Sequence, residues 1–259
     1  MGIEAFAETA LKFLPGWHVE AIEDVNFLAP FKFYRGEARA VRVEVKIHPQ
    51  AESLVADCRL IGQRALPTQT EPQLTIHFTA RVRLAKQPAQ APTSKAFVEP
   101  HGNAVEAADI YQLYFHGPAY QVVEKAWRNG TQVVGLLAKD LPPNHHPAEV
   151  PAVMAPRLIE LCFQTAGIWE MGLQSRMGLP QHVDRVSLFR SPGLAESRLY
   201  AVVTPNEEQS SFAAEVLDQK GNCYLRLSGY KTVALPQSIE AARLEPLHAV
   251  MSEQTALVA

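Results

Sequence analysis

Two stretches of the chain space their apolar residues as one face of a helix does. In GIEAFAETALKFL, Ile3, Phe6, Ala7, Ala10, Leu11 and Leu14 recur at i, i+3, i+4 and i+7. In PRLIELCFQTAGIWEMGL, Leu158, Leu161, Cys162, Thr165, Ile168, Trp169 and Gly172 form a broader apolar stripe. Pro156 stands in its first turn, where a helix accepts proline. Both helices are followed by segments that alternate apolar and polar residues or run apolar throughout, as half-buried and buried strands do.

Those segments are written twice. LPGWHVEAIEDVNFLAP (14–30) is answered by LPQHVDRVSLFRSP (179–192), and RAVRVEVKIHP (39–49) by SRLYAVVTP (197–205). SLVADCRL and LTIHFTARVRL are answered by SFAAEVLD and NCYLRLSGYKTV. Leu14-Pro15 against Leu179-Pro180 sets an offset of 165 residues. The repeated order predicts an α+β chain built from two units, each a long helix wrapped by an antiparallel sheet. KQPAQAPTSKAFVEPHGNAVEAA (86–108) suits an exposed connection, and DLPPNHHPAEVP (140–151) is a second loop. Before its helix, the second unit carries DIYQLYFHGPAYQVVEKAW and TQVVGLLAKD, whereas the helix of the first begins at the initiator methionine. The first unit therefore lacks its opening strands, and a sheet edge left open in this way invites pairing with another chain, a homodimer included.

Composition narrows the partners. The chain has 24 basic and 27 acidic residues and a net charge of −3, with no block of like charge, which argues against nucleic acid or an anionic membrane. No apolar run approaches the roughly 18 residues of a membrane span. Glu4 stands where a signal peptide is basic, and Phe6 where myristoylation wants Ser or Thr. Cys58, Cys162 and Cys223 are odd in number and widely spaced, so neither a disulfide framework nor a zinc site is indicated and a reducing cytoplasm is expected. His145 and His146 form a doublet without a third ligand, so no metal is expected.

These features together resemble the dehydratase domains of polyketide synthases and of polyunsaturated fatty acid synthases, more closely the latter. The resemblance is carried by MGIEAFAETA, FLAPFKFYRGE, YFHGPAYQ and PRLIELCFQTAG, and runs from residue 1 to about residue 236. It implies a double hotdog: a first hotdog over 1–86, N-terminally incomplete, a linker over 87–108, a second hotdog over 109–236 and a C-terminal tail over 237–259. It also implies the elimination of water from β-hydroxyacyl thioesters, giving enoyl thioesters. The substrate rides on the phosphopantetheine of an acyl carrier protein among other synthase domains, with no further cofactor. A base takes the α-proton while an acid protonates the departing hydroxyl from the other side of an acyl tunnel.

In that family the acid is an aspartate in D-x-x-x-Q or D-x-x-x-H on the second helix. Glu160 takes its place here and Gln164 the place of the glutamine, four residues apart on one helix face. A carboxyl facing an apolar tunnel loses water, which favours the protonated form an acid needs. Glutamate is one methylene longer than aspartate, and a misplacement of about 1 Å can cost around 100-fold in rate. The other reading is a solvated Glu and Gln on an amphipathic helix. The base is a histidine in H-x-x-x-G-x-x-x-x-P, a pattern that occurs nowhere in residues 1–259 and belongs just before MGIEAFAE. The chain as given is therefore expected to be inactive.

YFHGPAYQ matches the family's G-Y-x-Y-G-P-x-F or H-G-P-x-F at Tyr114, His116, Gly117, Pro118 and Tyr120, with Leu113 in place of the glycine. The resemblance puts this motif on a strand bend beside the tunnel, where those five residues are expected to bind substrate. His116 is expected to be structural or substrate-positioning, not the base. Tyr114 is either a donor to substrate or a packed aromatic. His18, His48, His77 and His182 read as strand or loop residues. Two other activities stay open: a non-catalytic acyl-binding or scaffolding module, and a thioesterase or isomerase relative in which Glu160 is a lone base.

Overall fold

The structure, a computed structural model, describes residues 2–32, 39–64, 71–92, 94, 103–148, 150–192, 198–236 and 239–252. Residues 33–37 of the FLAPFKFYRGE stretch, part of the linker and the last seven residues of the tail lie outside them.

Both long helices form where the apolar spacing puts them: α1 spans Gly2–Phe13 and α3 spans Pro156–Gln174. The first unit adds β1 (His18–Phe27), β2 (Val41–Gln50), β3 (Ser53–Arg64) and β4 (Gln73–Ala85). The second adds β5 (Val105–Glu106), α2 (Ala107–Leu113), β6 (Val123–Asn129) and β7 (Gln132–Leu137) before α3, then β8 (Gly178–Leu188), β9 (Leu199–Pro205), β10 (Phe212–Asp218) and β11 (Cys223–Ala234). All eleven strands join one sheet, and the units meet where β1 pairs antiparallel with β8, Ile22 opposite Val186 and Asn26 opposite His182. Outward from that seam one side reads β1-β4-β3-β2 and the other β8-β11-β10-β9, strand for strand. This is the double hotdog.

The symmetry then stops. Beyond β9 the second unit continues with β7, β6 and β5, whereas β2 ends the sheet. β2 is ten residues long, carries Val41 49% exposed, and turns one row of backbone N–H and C=O groups to no strand of the described residues. Concentration-dependent self-association is the expected result. Light scattering checks it, and a monomer across the whole concentration range would contradict it.

α1 buries Ile3, Phe6, Ala7 and Ala10, while Leu11 and Leu14 pack at its margin. Its Glu4 is also buried, and the carboxylate accepts the backbone N–H groups of Val153 and of Met154, the latter at 2.8 Å. That latch fixes the turn into α3, where Ala155 takes a left-handed φ of 47°. α3 is buried nearly all round, because α4 (Ala241–Ser252) lies on the side that the sheet leaves open. α4 falls in the stretch that the resemblance leaves outside, yet Leu244, Leu247, Val250 and Met251 are buried.

YFHGPAYQ is not a strand bend. DIYQL is helical in α2, with Ile110 fully buried and Leu113 one turn on packed at the core's margin. Residues 114–117 are irregular, and Pro118–Tyr120 make one 3-10 turn that proline starts.

An ion network crosses the seam. Glu23 of β1, 8% exposed, accepts Arg83 Nε at 3.0 Å and Nη2 at 2.9 Å, and also pairs with Arg185 of β8. Burial alone pushes its carboxyl up. Arg83, helped by the charges of Arg185 and Arg81, overrules that and holds it below the usual carboxylate range. A carboxyl lowered on folding stabilises above its unfolded pKa and loses that stabilisation as pH falls through the folded value. Urea unfolding should therefore show Glu23→Gln less stable than wild type at pH 7, with the gap closing in acid. A gap that stays constant would refute the role given to this carboxylate.

Candidate functional site

Glu160 lies one turn into α3, with its side chain 24% exposed in a stretch, 158–172, that is otherwise buried. One carboxylate oxygen, Oε1, meets two nitrogens: His116 Nε2 at 3.0 Å and Gln164 Nε2 at 3.1 Å. Gln164, 1% exposed, is locked in turn. The Val123 N–H donates to Tyr111 Oη at 2.8 Å, and the Tyr111 hydroxyl donates to Gln164 Oε1 at 2.8 Å. Because that phenol has one proton to give, the Gln164 carbonyl faces Tyr111 and the amide nitrogen faces Glu160. The same nitrogen donates to the Tyr120 carbonyl at 2.8 Å.

The second helix and the HGP segment are thus one assembly. Tyr114 has a buried hydroxyl that donates to the backbone carbonyl of Gln164 at 2.8 Å, and burial, with the Glu160 and Glu170 charges behind it, raises its pKa well above the usual phenol value. The hydroxyl sits where a Cβ on Gly167 would be, 2.2 Å away, so only glycine lets α3 come this close. Its proton is spent on the helix. Gly117 and Pro118 are exposed, and Tyr120 accepts Asn144 Nδ2 at 3.2 Å. Arg157 ties the segment to the Pro-rich loop by donating to the carbonyls of Ala119 and Pro142. His116 stands between Tyr114, edge-on at 5.3 Å, and Phe115, stacked at 5.2 Å and 73% exposed.

One turn on from Glu160, α3 enters an aromatic cluster of the core. Phe163, on the same face of α3, stacks on Tyr230 at 4.3 Å and meets Phe27 edge-on at 6.1 Å, and Phe27 meets Phe78 at 5.5 Å. Phe78 packs against the start of α1 at Gly2. The start of α1 and the first half of α3 therefore meet this aromatic cluster, and Glu160 stands one turn before Phe163 on α3.

Tyr111, Glu4 and Arg157 were absent from the candidates read from sequence. Tyr111 carried a signal, since it stands three residues before Tyr114 in DIYQLY. Three other histidines are occupied elsewhere: His77 with the Ala29 carbonyl at 3.1 Å, His182 with Asn26 and Asp184, both at 2.9 Å, and His145 with Asn144 at 2.8 Å and Val150 at 2.6 Å. Burial pushes the thiols up, Cys58 to about 12 and Cys223 to about 11, and Cys162 furthest, so none is poised as a nucleophile. No three His, Cys, Asp or Glu side chains gather into a metal-binding group among the described residues.

A sequence profile described as "Polyketide synthase dehydratase N-terminal domain" matches residues 89–242. Solved structures match over nearly the whole chain. The dehydratase domain from the CurF module of curacin polyketide synthase is 18% identical, with a TM-score of 0.64 over 88% of this chain and 81% of that one. A trans-AT polyketide synthase dehydratase domain from Brevibacillus brevis is 16% identical, with a TM-score of 0.67 over 90% and 83%. A dehydratase structure from work on the borrelidin and fluvirucin polyketide synthases is 16% identical, with a TM-score of 0.63 over 92% and 80%. At these identities the likeness speaks for the fold. No curated protein matches the chain.

Proposed function

The chain belongs to the polyketide synthase dehydratase family, and from that premise we propose that it receives β-hydroxyacyl thioesters, with Glu160 as the acid that protonates the departing hydroxyl. The carrying observation is the Glu160 carboxylate, part-exposed on a buried helix, anchored by Gln164 and His116 and one turn from the aromatic cluster of Phe163. In the elimination a base takes the α-proton, the C–O bond breaks, and the Glu160 proton leaves with the hydroxyl as water. The carboxylate left behind already faces two N–H donors, which lowers the cost of the charge it acquires. The substrate arrives on the phosphopantetheine of an acyl carrier protein in a cytoplasmic polyketide or polyunsaturated fatty acid synthase. No metal or nucleotide enters the reaction.

Residues 1–259 contain no H-x-x-x-G-x-x-x-x-P, so by themselves they should turn over neither a β-hydroxyacyl nor an enoyl pantetheine. Exogenous imidazole at high concentration is the test, because a small base supplies what the pattern would. Enoyl product that appears with imidazole and vanishes in Glu160→Gln supports the reading. Binding without turnover under every base favours the second reading, an acyl-holding module, to which the absent pattern also points.

A further inference from the structure

We infer that His116 is a positioning residue for Glu160: a neutral imidazole with its proton on Nε2, which holds Oε1 and leaves Oε2 as the oxygen that meets the substrate. The inference rests on the dehydratase reading of Glu160. It starts from an asymmetry in that carboxylate. Oε1 faces both His116 Nε2 and Gln164 Nε2, while Oε2 takes no hydrogen bond from the described residues. Gln164 cannot turn round, because Tyr111 fixes its carbonyl end, so Oε1 receives an N–H from that side in either protonation state of Glu160.

The imidazole is decided by its other nitrogen. His116 Nδ1 is buried and has no hydrogen-bond partner among the described residues. A proton there would be a buried donor with nothing to receive it, and in an imidazolium it would be a charged one, the costliest of the orphans. With Nδ1 bare, the single proton sits on Nε2 and points at Oε1. The ring has little room to turn, since Phe115 stacks on one face, 11° from parallel, and Tyr114 meets it edge-on. His116 therefore cannot serve as the missing base: its basic nitrogen is enclosed and its other nitrogen is occupied. Its work is to donate to Oε1 alongside Gln164, so that the acidic proton of Glu160 resides on Oε2.

Two-bond nitrogen–proton correlation of the ¹⁵N-histidine-labelled chain reads the tautomer directly. The expected His116 signal is the neutral Nε2–H form at pH 7, and an Nδ1–H tautomer or an imidazolium would overturn the inference. A binding comparison reads the consequence. Wild type should prefer β-hydroxyacyl pantetheine over the saturated acyl pantetheine by up to about tenfold, the worth of one good neutral hydrogen bond. His116→Leu should lose that preference and His116→Gln, which keeps a side-chain N–H donor, should regain most of it. Equal preference in His116→Leu and wild type would sink the positioning role. Should the leucine variant fail to fold, the tautomer alone decides. A wild type that binds both ligands equally, yet shows the Nε2–H tautomer, would sink the dehydratase reading while leaving the His116 geometry intact.

Discussion

Glu160→Gln is expected to remove the imidazole-supported dehydration almost entirely, by roughly 10²–10⁴-fold, the usual contribution of a positioned proton donor. The change is close to isosteric. The glutamine carbonyl still accepts from Gln164 and His116, so the fold survives and only the transferable proton is gone. The assay follows enoyl absorbance with matched circular dichroism spectra. A variant that keeps wild-type turnover would show that the hydroxyl leaves without help from this carboxyl.

The second large effect concerns stability and falls outside the repeated units. Leu247 is fully buried where α4 lies against α3, and Leu247→Ala should cost about 2–5 kcal/mol, measured by urea or thermal unfolding. A sharper form is Gly172→Ala. On propensity alone, alanine inside a helix gains up to about 1 kcal/mol over glycine. Here the added Cβ would stand 2.4 Å from Met251 Cγ and 2.8 Å from its Cβ, close to the α4 backbone, so the helices must part. The expected sign is a loss of stability. A gain would mean that α4 is not held as described.

Helix spacing made α1 and α3 legible in the sequence, and period-two alternation did the same for most strands. The duplication was legible because the matched segments kept their order around two Leu-Pro pairs. It also pointed to the side of the sheet on which β2 meets no further strand of the described residues. α2 was not, since DIYQL is too short for its period to separate helix from strand, and burial of Ile110 decided the matter. α4 escaped because Pro246 interrupts its apolar face and no second copy of it exists to compare. The Glu4 latch and the His116–Glu160 contact join residues 149 and 44 positions apart. Residue types marked Glu160 and Gln164 as candidates, but no local pattern says that a histidine from a turn will meet them or that Tyr111 will set the amide's orientation. Such contacts are products of tertiary packing.

A crystal structure of the chain with a non-eliminating β-hydroxyacyl pantetheine analogue tests the account most directly. The account predicts the β-oxygen within about 3 Å of Glu160 Oε2, with the acyl chain along Phe163 and Phe27. An analogue bound elsewhere, or a Glu160 side chain turned into bulk water with the ligand in place, would contradict it.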